Sequence, residues 1–322
     1  MIRNKLMKKA IVIGSNGQDG YYLANFLAQK KYKVICIDKG FLLQIPESNI
    51  DLRLNISNKS HIELLISKIK PDEIYHLAAF HHSAQDNYDE TIDIFTKSIE
   101  VHDISLFHIL NSIVKFSPQT KLFYAASSLI FGNPPTEVQN ESTPINPNNL
   151  YGITKAVGLF LCRKYRKEHN VFASCGILYN HESSRRPSKY LSKKIIDGVI
   201  NALRDHEEKI ELGNLKAEVD WGFAPDFIKA MYQITNLEIS DDFIVSTGVK
   251  HTVKEFAEIA YSSVGLYWRD HVVENPQLIK RETKPLIGDS SKLRRLTKWA
   301  PSISFEDMVK LLVKESINNE KH

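Results

Sequence analysis

The stretch that most restricts what this chain can fold into lies near its start. Ala10 to Ile13 is a short apolar run, Gly14-Ser15-Asn16-Gly17-Gln18-Asp19-Gly20 follows, and Tyr21 to Lys30 carries Leu23, Phe26 and Leu27 at helical spacing. Strand, glycine loop and helix in that order give the GxxGxxG spacing its meaning. Gly14 allows the tight turn, Gly17 lets backbone N–H groups reach a pyrophosphate, and Gly20 lets helix and strand pack closely. The next strand, Val34 to Ile37, ends at Asp38, eighteen positions beyond Gly20. A carboxylate there accepts hydrogen bonds from both hydroxyls of an adenosine ribose and repels a 2′-phosphate. The pattern predicts a nicotinamide dinucleotide site that favours NAD, with NADP as the alternative.

The remainder of the chain sets bounds on this reading. It has 322 residues, 43% hydrophobic and 25% charged, which suits a folded globular protein of one large core or two subdomains. The formal net charge of +4 comes without a dense basic run, so no nucleic-acid partner is expected, whereas an anionic small molecule fits. Cys36, Cys162 and Cys175 are scattered, without CxxC spacing, and read as reduced thiols of a cytoplasmic protein. The apolar run after the basic Met1-to-Lys9 segment is only a strand long, so neither a signal peptide nor a membrane span is expected.

Further along, Asp51 to Ile56 reads as extended, His61 to Lys70 as an amphipathic helix, and Ile74 to Ala79 as a buried strand ending in small residues. Phe80-His81-His82-Ser83 and a long helical segment to about Phe116 come next. The paired histidines have no Asp, Glu or His at metal-site spacing, so no metal is expected. Leu122 to Ser128 is a strand entering hydroxyls. Tyr151-Gly-Ile-Thr-Lys155 then sets a phenol and an ammonium on one helix face. A phenol is a poor base at neutral pH. A neighbouring ammonium and a positive nicotinamide both stabilise its phenolate, and Ser127 can hold the same substrate oxygen.

Past the middle, the apolar run Gly176-Ile177-Leu178 ends in Tyr179-Asn180-His181-Glu182-Ser183-Ser184-Arg185-Arg186, as expected of a buried strand opening into a polar pocket. Tyr190 to Arg204 is helical, Ile210 to Leu215 extended, and Trp221 to Ile234 a loop entering a helix at Ala224-Pro225-Asp226. Thr252 with Glu255 forms a capping box for a helix to Val264. A final helix starts at Phe305 and frays from Asn318.

Together these segments resemble the extended short-chain dehydrogenase/reductase superfamily, and within it the GDP-mannose 4,6-dehydratase branch of nucleotide-sugar enzymes. The resemblance runs over nearly the whole chain. It rests on Gly14 to Gly20 with Gln18-Asp19, Pro71-Asp72-Glu73 with Leu77-Ala78-Ala79, and Tyr151 to Lys155. Its most branch-specific parts are Asn180 to Ser183 with Arg185-Arg186, and Leu212-Gly213-Asn214-Leu215 followed by Asp220-Trp221-Gly222. Gly288-Asp289 with Trp299 fits the last segment.

The resemblance implies an α/β fold: a Rossmann doubly wound parallel sheet with a smaller C-terminal substrate-binding subdomain. Residues 1–176 would form the NAD-binding domain and 177–322 mainly the substrate subdomain, with 243–247 returning to the sheet. The implied cofactor site comprises Gly14, Asn16, Gly17, Gln18, Asp19, Gly20, Asp38, Leu77, Ala78, Ala79, Tyr151, Lys155, Leu178, Asn180, His181 and Arg186. The implied substrate site comprises Ser128, Asn180, Lys194, Leu212, Gly213, Asn214 and Arg281, holding a GDP-sugar. The implied reaction removes a hydride from sugar C4 with Tyr151 as base, loses water across C5 and C6, and returns the hydride to C6. A homodimer or homotetramer would be usual.

Three departures stand against that pattern. The branch carries a Glu, two residues after the catalytic Thr or Ser, that removes the C5 proton; here the position is Leu129. His81 is the first substitute, giving a catalytic set of Ser127, Tyr151, Lys155 and His81, with His82, Asp86 and Glu182 behind it. Val219 stands where the branch has Arg near the guanosine diphosphate, and Asp38 where many members use basic residues for NADP. These changes point to a retuned pocket, for GDP-mannose or a modified, N-acetylated GDP-sugar. A C4 dehydrogenase, reductase or epimerase is the alternative reading. A non-catalytic nucleotide-binding protein is opposed by the retained Ser127, Tyr151 and Lys155.

Overall fold

Short apolar strands separated by helical segments cannot pair with their sequence neighbours as hairpins; they pair in parallel through crossovers. The structure, a computed structural model, describes residues 7–45, 50–80, 91–278 and 284–319. The first half runs β1 (Lys9–Ile13), α1 (Gln18–Gln29), β2 (Lys33–Ile37), β3 (Leu42–Ile45), β4 (Ile50–Arg53), α2 (Lys59–Ile69) and β5 (Glu73–His76). Then come α3 (Ile92–Ile99), a π-helical turn (Glu100–Ile104), α4 (Ser105–Phe116), β6 (Lys121–Ser127), β7 (Val138–Gln139), α5 (Leu150–His169) and β8 (Ala173–Leu178). The second half holds β9 (Asn180–Glu182), α6 (Leu191–Arg204), β10 (Ile210–Leu212), β11 (Glu218–Phe223), α7 (Ala224–Thr235), β12 (Asp242–Val245) and β13 (Lys250–Thr252). It ends with α8 (Val253–Ser262), α9 (Trp268–His271), β14 (Val272–Glu274), β15 (Ile287–Gly288), α10 (Ser291–Thr297) and α11 (Phe305–Asn319).

The main sheet is six-stranded and parallel, ordered β12-β8-β6-β5-β1-β2. Chain direction across it reverses between β1 and β5, the position at which a doubly wound sheet opens its ligand crevice. Registers Ile13↔Ile37, Ile13↔His76, His76↔Tyr124 and Ser127↔Leu178 bring the strand ends level there. One face is covered by α2, α4 and α5 through Ile62, Leu65, Leu106, Ile109, Leu110 and Leu159. The other is covered by α1, α7 and α10 through Leu23, Leu27, Phe227, Met231, Leu293 and Trp299. Each such side chain, fully buried, contributes about 1.5–3 kcal/mol. A separate cluster, including Ile195, Val199, Trp221, Phe256 and Leu312, forms the core of the second half.

Several local expectations change. Leu77 to Ala79 leave the sheet, which ends at His76. The long helical segment is interrupted by the π turn at Glu100–Ile104. Trp221 is not in a loop: β11 pairs in parallel with β9 through Trp221↔Asn180, Gly222↔His181 and Phe223↔Glu182. Gly222 gives that segment a loop-like look, but a Cβ there would lie 2.2 Å from the Phe227 ring. The residue is glycine because a helix packs onto the strand. The terminal helix continues through Asn319 instead of fraying at Asn318. No helix among the described residues is long and apolar enough to cross a membrane.

Asp220, buried on β11, ties that strand to the turn after β12 and to β15. Its carboxylate accepts from Thr247 N (3.0 Å) and Oγ1 (2.6 Å), Gly248 N (3.0 Å) and Gly288 N (3.2 Å). Burial raises its pKa, and these donors oppose that rise. Asp220→Ala orphans all four donors at once and is expected to lower unfolding stability by roughly 3 kcal/mol, read as a lower urea midpoint; Asp220→Asn should lose less, since one amide oxygen still accepts.

Candidate active site

Gly14 closes the first turn at φ +90, and a Cβ on it would lie 2.7 Å from Ala78 N; one on Gly20 would lie 2.1 Å from Gly14 O. Backbone from β1, α1 and the segment after β5 therefore meet without side chains between them, leaving a cradle at the α1 N-terminus. Asp38 completes its rim: one carboxylate oxygen accepts from Asn16 N and the other from Lys39 N, both at 2.8 Å. Leu77 and Ala78 are half-buried beneath the loop and Ala79 is exposed.

The first turn of α1 is stitched to β9. Gln18 donates to His181 O (3.1 Å) and accepts from the Ser183 hydroxyl (2.8 Å). His181 Nε2 lies 2.9 Å from Asp19 and Nδ1 lies 2.7 Å from Tyr179 O, two acceptors that together call for an imidazolium. Burial works against that charge, but Asp19 outweighs it and raises the His181 pKa. Burial likewise opposes ionisation of Asp19, and His181 overcomes it, holding the carboxyl below its usual range. The imidazole stacks on Phe227 at 4.5 Å. Glu182 faces the same interior but is committed: Ser192 donates to it at 2.5 Å and Arg186 pairs with it at 3.2 Å. Its carboxylate is thus held by a hydroxyl and a guanidinium.

Tyr151 lies in the first turn of α5, which the Asn149 side chain caps by accepting from Gly152 N at 2.8 Å. Lys155 stands one turn on with its Nζ donating to Ala125 O at 2.8 Å, 5.6 Å from the Tyr151 ring centroid. The ammonium that YxxxK sets near the phenol is thus anchored to backbone and acts on the phenol through space. Within the polypeptide, burial raises the Tyr151 pKa, Tyr190 adds to the rise and Arg186 opposes it. Burial pushes Lys155 down to about 8, against the pull of Asp103 and Asp19. Ser127 ends β6 and accepts from Leu129 N at 3.3 Å, beside buried Ser128.

The described geometry joins Gly14–Gly20, Ala78, His181 and Arg186 with Tyr151, since Arg186 and Asp19 both act on its phenol. Leu178 is buried at the end of β8 and Asn180 is exposed on β9. Lys194 is half-buried in the first turn of α6. Leu212 is buried at the end of β10, followed by Gly213 and by Asn214, whose side chain accepts from Lys216 N at 2.8 Å. His81, His82, Asp86 and Arg281 lie outside the described residues. Val219 is half-buried against the second-half core. Cys162 and Cys175 are buried free thiols, and Cys36 is an exposed one.

Sequence reasoning passed over Tyr190, whose ring lies 3.9 Å from the Arg186 guanidinium, and also His102 and Asp103. A signal for the last two was present: Asp103 precedes Leu106, Leu110 and Ile113 on a stripe that is otherwise apolar and buried. His102 accepts from Phe80 N (2.9 Å) and pairs through Nδ1 with Thr154 Oγ1 (2.8 Å), which donates to Tyr151 O (3.0 Å). That chain fixes the turn carrying Tyr151.

A family model described as GDP-mannose 4,6 dehydratase matches residues 11–312. GDP-mannose 4,6 dehydratase 1 of Arabidopsis thaliana is 34% identical over 336 aligned positions, covering 98% of this chain and 92% of the relative. Among solved structures, a dTDP-glucose 4,6-dehydratase from Bacillus anthracis in complex with NAD superposes with a TM-score of 0.80 at 20% identity, covering 98% of each chain. A Thermus thermophilus UDP-glucose 4-epimerase complex with NAD gives 0.80 at 18% identity, covering 96% of this chain and 99% of the other.

The Asp19–His181 pair contributes stability between the lowered Asp19 pKa and the raised His181 pKa: it is lost as pH falls through the first and as it rises through the second. Asp19→Asn is expected to cost roughly 3 kcal/mol at neutral pH and to flatten that dependence, measured by denaturant unfolding across pH.

Proposed function

The chain belongs to the GDP-mannose 4,6-dehydratase family, and we propose that it converts a GDP-linked hexose to the 4-keto-6-deoxy sugar at a bound nicotinamide cofactor. What carries the reading is the continuity between Gln18-Asp19, His181-Glu182-Ser183 and Arg186 beside Tyr151. It runs from the cofactor cradle to the reacting phenol through the most branch-specific residues. The cradle suits a dinucleotide, because glycines at 14 and 20 let the loop, the α1 N-terminus and the segment after β5 close on one another backbone to backbone, and Asp38 at its rim favours NAD over NADP. Bound there, a nicotinamide would supply reversible hydride transfer between sugar C4 and C6.

The protein's own groups handle protons and position. Tyr151 takes the C4 hydroxyl proton, and Ser127 Oγ holds the same oxygen. A buried phenol needs positive charge nearby to ionise; Arg186 lowers its pKa, and the Lys155 ammonium lies 5.6 Å from its ring centroid. Lys194, Asn180 and the Leu212-Gly213-Asn214 turn hold the GDP-sugar. Leu129 cannot take the C5 proton; its carbonyl instead packs where a Cβ on Gly152 would come within 2.5 Å. That single residue favours the second reading, a C4 oxidoreductase or epimerase on the same scaffold.

Exposed Ile153, Val157 and Phe160 line one face of α5 beside exposed Ile104 and Phe107, an apolar patch that suits a homodimer. Phe160→Glu is expected to yield monomer by light scattering. Incubated with GDP-mannose, the holoenzyme should give a product lighter by one water in mass spectrometry, and Tyr151→Phe should lower that rate at least ~10²-fold. A product of unchanged mass, or one oxidised at C4 with net cofactor reduction, supports the oxidoreductase or epimerase reading instead.

A further inference from the structure

The floor beneath Tyr151 holds more ionisable chemistry than proton abstraction by a phenol requires. Lys155 is 1% exposed. Around it stand Asp103 from the π turn, His76 at the end of β5 and Tyr124 on β6, all buried. The Tyr124 ring centroid is 5.1 Å from Nζ. Asp103 Oδ1, His76 Nδ1 and the Tyr124 hydroxyl each lack a hydrogen-bond partner, three orphaned polar atoms in the buried layer that holds Lys155. Such atoms are rare singly, and a cluster of them calls for a reason. π turns recur at functional sites, and this one turns Asp103 inward on the buried stripe that continues through Leu106, Leu110 and Ile113.

We propose that Asp103 is a positioning residue acting through Lys155, its carboxylate being the counter-charge that keeps the lysine protonated beneath Tyr151 during turnover. The proposal rests on the reading of Tyr151 as the base. An ammonium removed from water without an anion gives up its proton. Here Asp103 and Asp19 are the anions that act on Lys155. Asp19 is already neutralised by the His181 imidazolium at 2.9 Å, which leaves Asp103 as the uncommitted charge.

The neighbours do not offer a substitute. Burial and the Lys155 charge lower His76 to about 3, so it stays neutral. Burial raises Tyr124 far above its ordinary value. His102 accepts a backbone N–H through Nε2 and serves the Thr154 chain with its other nitrogen. Asp103 is itself raised by burial to about 7 and drawn back down by Lys155. The two groups are charged together near neutral pH: acid removes the carboxylate and alkali the ammonium.

Carbon-labelled lysine NMR of the cofactor-loaded protein tests this without any sugar. The Lys155 Cε signal is assigned by its loss in Lys155→Arg and titrated in wild type and in Asp103→Asn. The midpoint is expected to fall by about one unit in Asp103→Asn, to be largely restored in Asp103→Glu, and to carry the alkaline limb of the kcat profile down with it. Should Asp103→Asn fail to fold, Asp103→Ser carries the same comparison. An unmoved Lys155 midpoint overturns the proposal, as does a moved midpoint with an unmoved alkaline limb. Absence of turnover of GDP-mannose by wild type speaks against the dehydratase reading alone, because the lysine titration still decides the role of Asp103.

Discussion

The contact on which the rest of this structure depends is the one between the first turn of α1 and β9. Helix N-termini that bind phosphates normally present their first side chains to solvent or ligand. Here Gln18 and Asp19 are spent on protein, on His181 and Ser183. The cradle is consequently held from the far side by the very segment that leads to Arg186 and Tyr190. Cofactor position, phenol environment and the entry to α6 are then one mechanical unit. A charged pair so enclosed is costly to break yet gains little over a well-packed apolar pair, and it tolerates few other arrangements, which suits a site in which the reacting atoms must be closely aligned.

Much of this was legible in the chain because the residues involved obey local rules. Gly14 and Gly20 sit between a strand and a helix, Thr252 and Glu255 form the capping box seen at α8, and Tyr151 and Lys155 share a helix face. The parts that were not legible depend on partners distant in sequence. Nothing near Trp221 announces that β9 will pair with it, so its segment looked like a loop. Glu182 looked like an available carboxylate until Ser192 and Arg186 closed on it. Lys155 was expected on the face of the phenol, where its ammonium lies 5.6 Å from the Tyr151 ring centroid, but its anchor, Ala125 O, is thirty residues away in sequence. Asp103 broke the apolar pattern of its helix, which is a readable signal, but the π turn that aims it was not readable.

Leu129 acquires a different weight in that setting. Its backbone N–H binds Ser127 Oγ, so the residue orients the hydroxyl even though its side chain carries no chemistry.

The return of β12 to the outer edge of the main sheet has a consequence for how the protein is made. Val245 pairs with Leu178, and α7 and α10 cover a face begun by α1. A chain emerging from the ribosome cannot finish its nucleotide-binding layer until more than two thirds of it has been synthesised. For that interval β8 presents an unpaired edge and Phe123 an uncovered ring. Pairings of such long sequence separation form slowly and expose aggregation-prone strands meanwhile. Truncation from the C-terminus therefore removes the cover of the first half as well as the second.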